Sequence, residues 1–187
     1  MAAMILFHTG FAEIPEPDIK IGRKNADFGQ GFYLCGDEEF SKRWARHRRD
    51  YNTYLNKYEL DTDSLNIKRF TRNEEWFDYI YSNRSFAKDL YADADVIIGP
   101  IANDTIYDTL GITTSGLLKK EHALKLLTIG PVYEQTVIKT EKAVSKLKFV
   151  FSEVLKEEAI EKFRATVKKE EERFQEEFAA LLESLLD

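Results

Sequence analysis

Residues 27–45 read DFGQGFYLCGDEEFSKRWA, and the reading of the fold turns on them. Gly29 and Gly31 flank Gln30, and the aromatic pair Phe32-Tyr33 follows at once. Glycine at these two places permits backbone conformations that a Cβ hinders and lets a ligand lie against main chain. The apolar run from Gly31 to Cys35 reads as a short buried strand. From Asp37 the charged stretch predicts a helix over 37–54, with Phe40, Trp44 and His47 on one face and Tyr51 and Tyr54 continuing it. Such a strand and helix hold a planar ring between Tyr33 and a helix aromatic, with Ser41 offering its hydroxyl to an amide.

Upstream, MILFH at 4–8 is an apolar run ending on His8, the pattern of a buried first strand. Thr9 to Ala26 carries Pro15, Pro17 and Gly22 and few apolar residues, so it predicts loop and turns. Asp18, Arg23, Asn25 and Asp27 gather beside the glycines. They serve either as turn residues or as a loop over a ligand's phosphates, with Arg23 as the charge partner.

Downstream, 56–70 alternates as two short strands or a hairpin, and a helix is predicted over 74–90 from Trp76, Phe77, Ile80 and Tyr81. DVIIGP at 95–100 reads as a buried strand, with Asn103 and Asp104 after it in capping positions. A short helix over 119–128, a strand over 133–139, a helix capped by Thr140 and a strand over 148–151 follow. The segment 152–187 has neither Gly nor Pro and carries an apolar stripe from Leu155 through Phe163, Phe174 and Leu185. It predicts one long amphipathic helix, or two with a break near KKEEE.

A length of 187 residues suits one domain with a sizeable core, and 43% hydrophobic with 32% charged residues is a globular balance. Net charge is −6, and from Phe151 onward eleven acidic residues outweigh six basic ones. The remainder is close to neutral, which gives no general pull toward nucleic acid. The local exception is RWARHRRD, whose Arg43, Arg46, Arg48 and Arg49 form either a solvated face or a phosphate contact. No run approaches eighteen apolar residues, the N-terminus has no signal-peptide pattern, and the single Cys35 suits a reducing compartment, so a cytoplasmic protein is expected. Three scattered histidines and one cysteine suggest no metal site, and neither a P-loop nor G-x-G-x-x-G occurs.

The block Gly29-Gln30-Gly31-Phe32-Tyr33-Leu34-Cys35, with Ser41 and Trp44 beyond it, resembles the nicotinamide pocket of the ADP-ribosyltransferase superfamily. The likeness is to its diphtheria-toxin-like and poly(ADP-ribose)-polymerase-like branch, which uses a His-Tyr-Glu trio. The longer string PDIKIGRKNADFGQGFYL is similar to a bacterial family of domains of unknown function, number 3990. The resemblance implies an α+β fold: two small, mostly antiparallel sheets, split, with flanking helices and a long C-terminal helix. It divides the chain into a transferase-like domain over 1–151 and a helical extension over 152–187.

It also implies a co-substrate, NAD, and no metal. His8 takes the family histidine's place on the adenosine ribose, Tyr33 stacks on the nicotinamide, and Trp44 closes its other face. Ser41 bonds the carboxamide, and Arg23, Gly29, Gly31 and Phe32 complete the cofactor-binding set. The family's H-G-[ST] becomes His8-Thr9-Gly10, so Thr9 and Gly10 bind through backbone groups and the Thr9 side chain is expected to point away. Gln135 stands where the family has its glutamate, with Glu134 the alternative; strand alternation lets only one of them face the pocket. The function implied is mono-ADP-ribosylation of an unidentified acceptor by an intracellular bacterial toxin or effector. A neutralising antitoxin or other protein partner would sit at the C-terminal helix. The departure at Gln135 sustains an alternative, a catalytically silent NAD- or ADP-ribose-binding module.

Overall fold

The computed structural model describes residues 3–102 and 119–186. Its strands are β1 (Ala3–Gly10), β2 (Phe32–Leu34), β3 (Tyr54–Asp61), β4 (Ile67–Arg69), β5 (Val96–Pro100), β6 (Glu134–Ile138) and β7 (Leu147–Val154). The helices are α1 (Glu38–Lys42), α2 (Glu74–Arg84), α3 (Lys120–Leu127), α4 (Glu141–Val144) and α5 (Glu157–Leu186).

The strands form two small sheets, as the resemblance implies. One sheet has the order β1-β3-β7, antiparallel throughout; the other has the order β2-β6-β5-β4, with only the β4–β5 pair parallel. Alternation sorts the residues of the first sheet. Leu6 of β1, Tyr58 and Leu60 of β3 and Leu147 of β7 face the second sheet and meet Phe32, Leu34, Val96, Ile98 and Ile138. The opposite face of the second sheet carries Val137 and Ile97 onto Trp76, Phe77 and Ile80 of α2. Each large side chain buried this way contributes about 1.5–3 kcal/mol. Phe7 and Cys35 bridge the two sheets, with backbone hydrogen bonds of 2.8 and 2.9 Å. Burial around that bridge pushes the Cys35 thiol up to about 12, so it remains a protonated core residue.

Two elements differ from expectation. The helix predicted over 37–54 is only Glu38–Lys42. Asp37 caps it by accepting from the Phe40 amide, and then the amides of Arg43, Trp44 and Ala45 bond three residues back, tightening the turn until it ends. Ala45 is drawn into a core with Phe7, Leu55, Leu155 and Ile160, while Asp50 takes φ 66° in a turn that no helix passes through. His47 and Tyr51 are therefore not on a helix face, and Tyr54 begins β3. The helix expected over 74–90 stops at Arg84, with Phe86 at φ 55° just beyond. Of the two readings of 56–70, two separate short strands is the one observed, because β3 and β4 lie in different sheets.

The tail is one helix with no break at KKEEE. Its first turns are anchored by Leu155 and Ile160 under β1 and β3, and its middle packs Phe174 against the turn at Gly130. No helix among the described residues is long and apolar enough to cross a membrane.

Candidate functional site

Beyond the Phe7–Cys35 bridge the two sheets part, and the space between them is a cleft of about 400 Å³. That is within the range of small-molecule sites, about 300–1,000 Å³. Into it come His8 and Thr9 from β1, Tyr33 from β2, Ser41 and Trp44 from α1 and the turn after it, Arg23 from the loop, and Gln135 from β6.

His8 donates Nδ1–H to the Tyr33 carbonyl oxygen at 2.8 Å, which leaves Nε2 as the ring's acceptor. Burial lowers its pKa below the usual histidine value, against a smaller upward pull from that carbonyl, so the ring is neutral at pH 7. Its ring packs on Phe32 at 4.8 Å between centroids. Tyr33 is tied at its hydroxyl, which donates to the Gly29 carbonyl at 2.7 Å and accepts from the Phe28 amide at 3.0 Å. Burial, then the nearby Asp27 charge, push that hydroxyl far above the ordinary tyrosine range. The phenol is thus a structural tie, and Tyr33 lines the cleft as an un-ionised side chain.

Thr9 corrects the expectation for its side chain. It turns toward α1, where its hydroxyl meets the Ser41 hydroxyl at 3.1 Å. Trp44 is 49% exposed at the rim, its ring edge-on to Phe40.

Alternation on β6 decides between the two candidates there. Glu134 is exposed and outside the cleft; Gln135 is 8% exposed and lines it. Its side-chain nitrogen lies 3.3 Å from an Asp27 carboxylate oxygen. Gly10, Gly29, Gly31 and Phe32 also stand outside the cleft lining. Phe32 faces the inter-sheet core, the other side of β2 from Tyr33. Gly31 packs on β6, where a Cβ would fall 2.6 Å from the Ile138 carbonyl oxygen, and Gly29 has φ +73°. These glycines shape the loop that carries Asp27 and Phe28 rather than the cavity wall. Asn103 and Asp104 lie outside the described residues.

The pairing of Asp27 with Arg84 is what sequence reasoning missed. Arg84 forms an ion pair with Asp27 across 57 residues, its Nε donating at 2.8 Å, with their side chains 5% and 11% exposed. The Ala102 amide donates to the other carboxylate oxygen at 3.1 Å. Burial pushes the Asp27 carboxyl up from its ordinary range; the guanidinium, the amide and Gln135 all pull it back toward the carboxylate. A signal for Arg84 did exist: it falls four residues after Ile80 and seven after Phe77, on the buried stripe of α2.

Of the four arginines in RWARHRRD, none sits on a shared helical face. Arg43 stacks over Tyr133 at 4.6 Å and pairs with Glu170 of α5, and Arg48 stacks over Tyr51 at 4.4 Å. Among the described residues no group of three or more His, Cys, Asp or Glu is placed to hold a metal.

No curated protein and no solved structure matches this chain. The family model described as "Protein of unknown function (DUF3990)" matches residues 4–149, which run from β1 into β7 and include every cleft residue named above. The chain belongs to the DUF3990 family.

Proposed function

We propose that the chain is an NAD-dependent mono-ADP-ribosyltransferase with an α+β fold of the transferase type. The observation that carries the reading is the convergence of His8, Tyr33, Ser41, Trp44 and Gln135, from four separate segments, on one cleft between split sheets. The resemblance of residues 29–44 to the transferase nicotinamide pocket gives that convergence its chemical sense.

In this reading the nicotinamide lies against the Tyr33 ring, with the Trp44 indole at the rim and Ser41 bonded to the carboxamide. His8, neutral with a free Nε2, accepts from a ribose hydroxyl. Arg23, exposed at the mouth, pairs with the diphosphate. The bond between the nicotinamide nitrogen and the ribose C1′ breaks with its electron pair passing to the nicotinamide ring, which leaves neutral. An acceptor nucleophile bonds to C1′ and gives up its proton to water. Gln135 accepts from the 2′-hydroxyl but adds no charge to stabilise the developing oxocarbenium ion, so turnover is slow and chain extension is not expected.

That missing charge favours a second reading, a silent NAD- or ADP-ribose-binding module. Glu134, the nearest glutamate on β6, is exposed and does not replace it. Nicotinamide release from labelled NAD distinguishes the two, comparing wild type with Tyr33→Ala and Gln135→Ala. Release lost in both variants supports the transferase. Binding without release, abolished by Tyr33→Ala, supports the module. Neither release nor binding rejects both. A role as a bacterial intracellular toxin, with a neutralising partner on α5, rests on the family resemblance alone.

A further inference from the structure

The buried carboxylate of Asp27 touches Gln135, the cleft residue that stands where the resembled pattern has its glutamate. Three donors hold its two oxygens, Arg84 Nε at 2.8 Å together with Arg84 Nη2 on one and the Ala102 amide at 3.1 Å on the other, and the Gln135 side-chain nitrogen lies 3.3 Å from that second oxygen. A carboxylate only accepts, so Gln135 must give Asp27 its NH2 group. The carbonyl oxygen of the same amide is then turned off Asp27. Rotation of the amide would set its oxygen against a carboxylate oxygen, two acceptors with no proton between them, at a carboxyl only 11% exposed.

We propose that Asp27 is a positioning residue that locks Gln135 as a hydrogen-bond acceptor, so that the cleft selects a ligand donating a hydroxyl at this point. The ligand class is a ribose, or another polyol, joined to the ring that Tyr33 and Trp44 accommodate. The proposal rests on the NAD reading for the ligand's identity, and on the Asp27 contact alone for the direction of the amide.

It also explains why glutamine rather than glutamate occupies position 135. A glutamate there would set a second carboxylate about one hydrogen bond from Asp27, and two carboxylates that close do not both ionise near neutral pH. The Asp27–Arg84 pair and a glutamate at 135 are thus alternatives in this cleft.

The test swaps donor and acceptor. Gln135→Glu, Asp27→Asn and the double variant Asp27→Asn/Gln135→Glu are compared with wild type for nicotinamide release from pH 5.5 to 8.5, after circular dichroism confirms folding. Gln135→Glu alone is expected to match wild type at pH 6.5, where the shared proton lets its carboxyl donate to Asp27 and keep an oxygen as acceptor, and to lose at least tenfold by pH 8.5, where the facing charges break the contact. The double variant, in which an amide at position 27 donates to a carboxylate at position 135, is expected to regain most of that loss and flatten the profile. A Gln135→Glu variant as active as wild type at pH 8.5, or a double variant no better than it there, overturns the proposal. The folded wild type supplies a readout free of turnover, the side-chain amide protons of Gln135 in nuclear magnetic resonance. Their exchange with water is expected to be slowed in wild type and at least tenfold faster in Asp27→Asn. If wild type releases no nicotinamide, the transferase reading falls and the exchange rate alone decides. Slowed exchange sustains the positioning role, and exchange as fast as that of a free glutamine ends it.

Discussion

The backbones of Gly22 and Gly31 lie against each other so closely that a Cβ on Gly22 would fall 2.3 Å from the Gly31 carbonyl oxygen. Gln30, between the paired glycines of the motif, secures the same contact by donating its side-chain amide to the carbonyls of Lys20 and Gly22 at 2.6 and 3.1 Å. Together they press the long loop after β1 onto the start of β2. The loop then delivers Arg23 and Asp27 to the cleft. Gly22→Ala is expected to cost about 1–3 kcal/mol, the usual penalty of overpacking. Gly36→Ala, where an added Cβ meets nothing within 4 Å, is the control and should leave the midpoint of thermal unfolding unchanged. Equal midpoints for both variants would mean that the contact yields freely.

His8 gives an acid limb to stability. Its folded pKa lies below the ordinary value because burial disfavours the imidazolium. As pH falls through about 6.5, the unfolded chain takes up this proton before the folded chain does. Its contribution is therefore fully present above about 6.5 and declines below it, toward the depressed folded value. His8→Asn removes the titration while keeping a donor for the Tyr33 carbonyl. Urea midpoints measured from pH 8 to 5 should show wild type falling relative to the variant. A constant difference across that range would place the histidine in solvent.

The cleft is legible in the sequence only through side chains on short, regular segments. Tyr33 and Ser41 follow from the glycine-flanked block and its spacing, and Gln135 from the place of the family glutamate, with strand alternation separating it from Glu134. The helix over 37–54 is overextended because apolar spacing persists after the backbone has left the helix. Trp44, Ala45 and Tyr51 keep the period, but tertiary burial of Ala45 and the turn at Asp50 set the path. The Asp27–Arg84 pair is hidden for another reason. An ion pair spanning 57 residues leaves no local pattern, and aspartate before Phe-Gly has an adequate explanation in turn chemistry.

Trp44 offers a direct reading of cleft occupancy. The chain has two tryptophans; Trp76 is fully buried with its indole N–H donating to the Pro100 carbonyl, whereas Trp44 is 49% exposed at the rim. A nicotinamide bound under the rim should quench the solvent-facing part of the emission. Trp44→Phe should abolish that quenching and change stability by no more than about 0.5 kcal/mol, as surface substitutions do. NAD titration of both proteins by fluorescence checks this, and quenching that survives in the variant would remove Trp44 from the site.

Asp95 ties the second sheet together far from the cleft. It accepts from the Asn66 amide at 2.9 Å, the Thr140 hydroxyl at 2.7 Å and Lys142 at 2.7 Å. Burial works upward on its pKa, but these donors outweigh it and bring the carboxyl down to about 2. A depressed carboxylate contributes stability that is whole above the unfolded value, about 3.9, and lost as pH falls toward about 2. Asp95→Asn should cost about 1–3 kcal/mol at pH 7, the range for a lost charge-assisted bond. The gap between the proteins should close below pH 4. A gap that persists at pH 2 would show that shape rather than charge matters there.

The C-terminal helix is coupled to the cleft through Arg43. Its guanidinium lies over the rings of Phe40 and Tyr133, at 5.2 and 4.6 Å, and bonds the Tyr133 hydroxyl at 2.6 Å. Glu170 of α5 accepts from both Arg43 and Tyr133. Trp44 follows Arg43, and Gln135 comes two residues after Tyr133, so one carboxylate on α5 braces both walls of the cleft. Glu170→Gln keeps an acceptor and loses the charge, which at a partly exposed pair is worth about 0.2–1 kcal/mol. Glu170→Ala removes the acceptor as well and should cost more. Amide hydrogen exchange is expected to rise at residues 40–46 and 132–135 in the alanine variant, with affinity for NAD falling several-fold. Faster exchange confined to α5 would show instead that the helix packs on the domain without bracing the cleft.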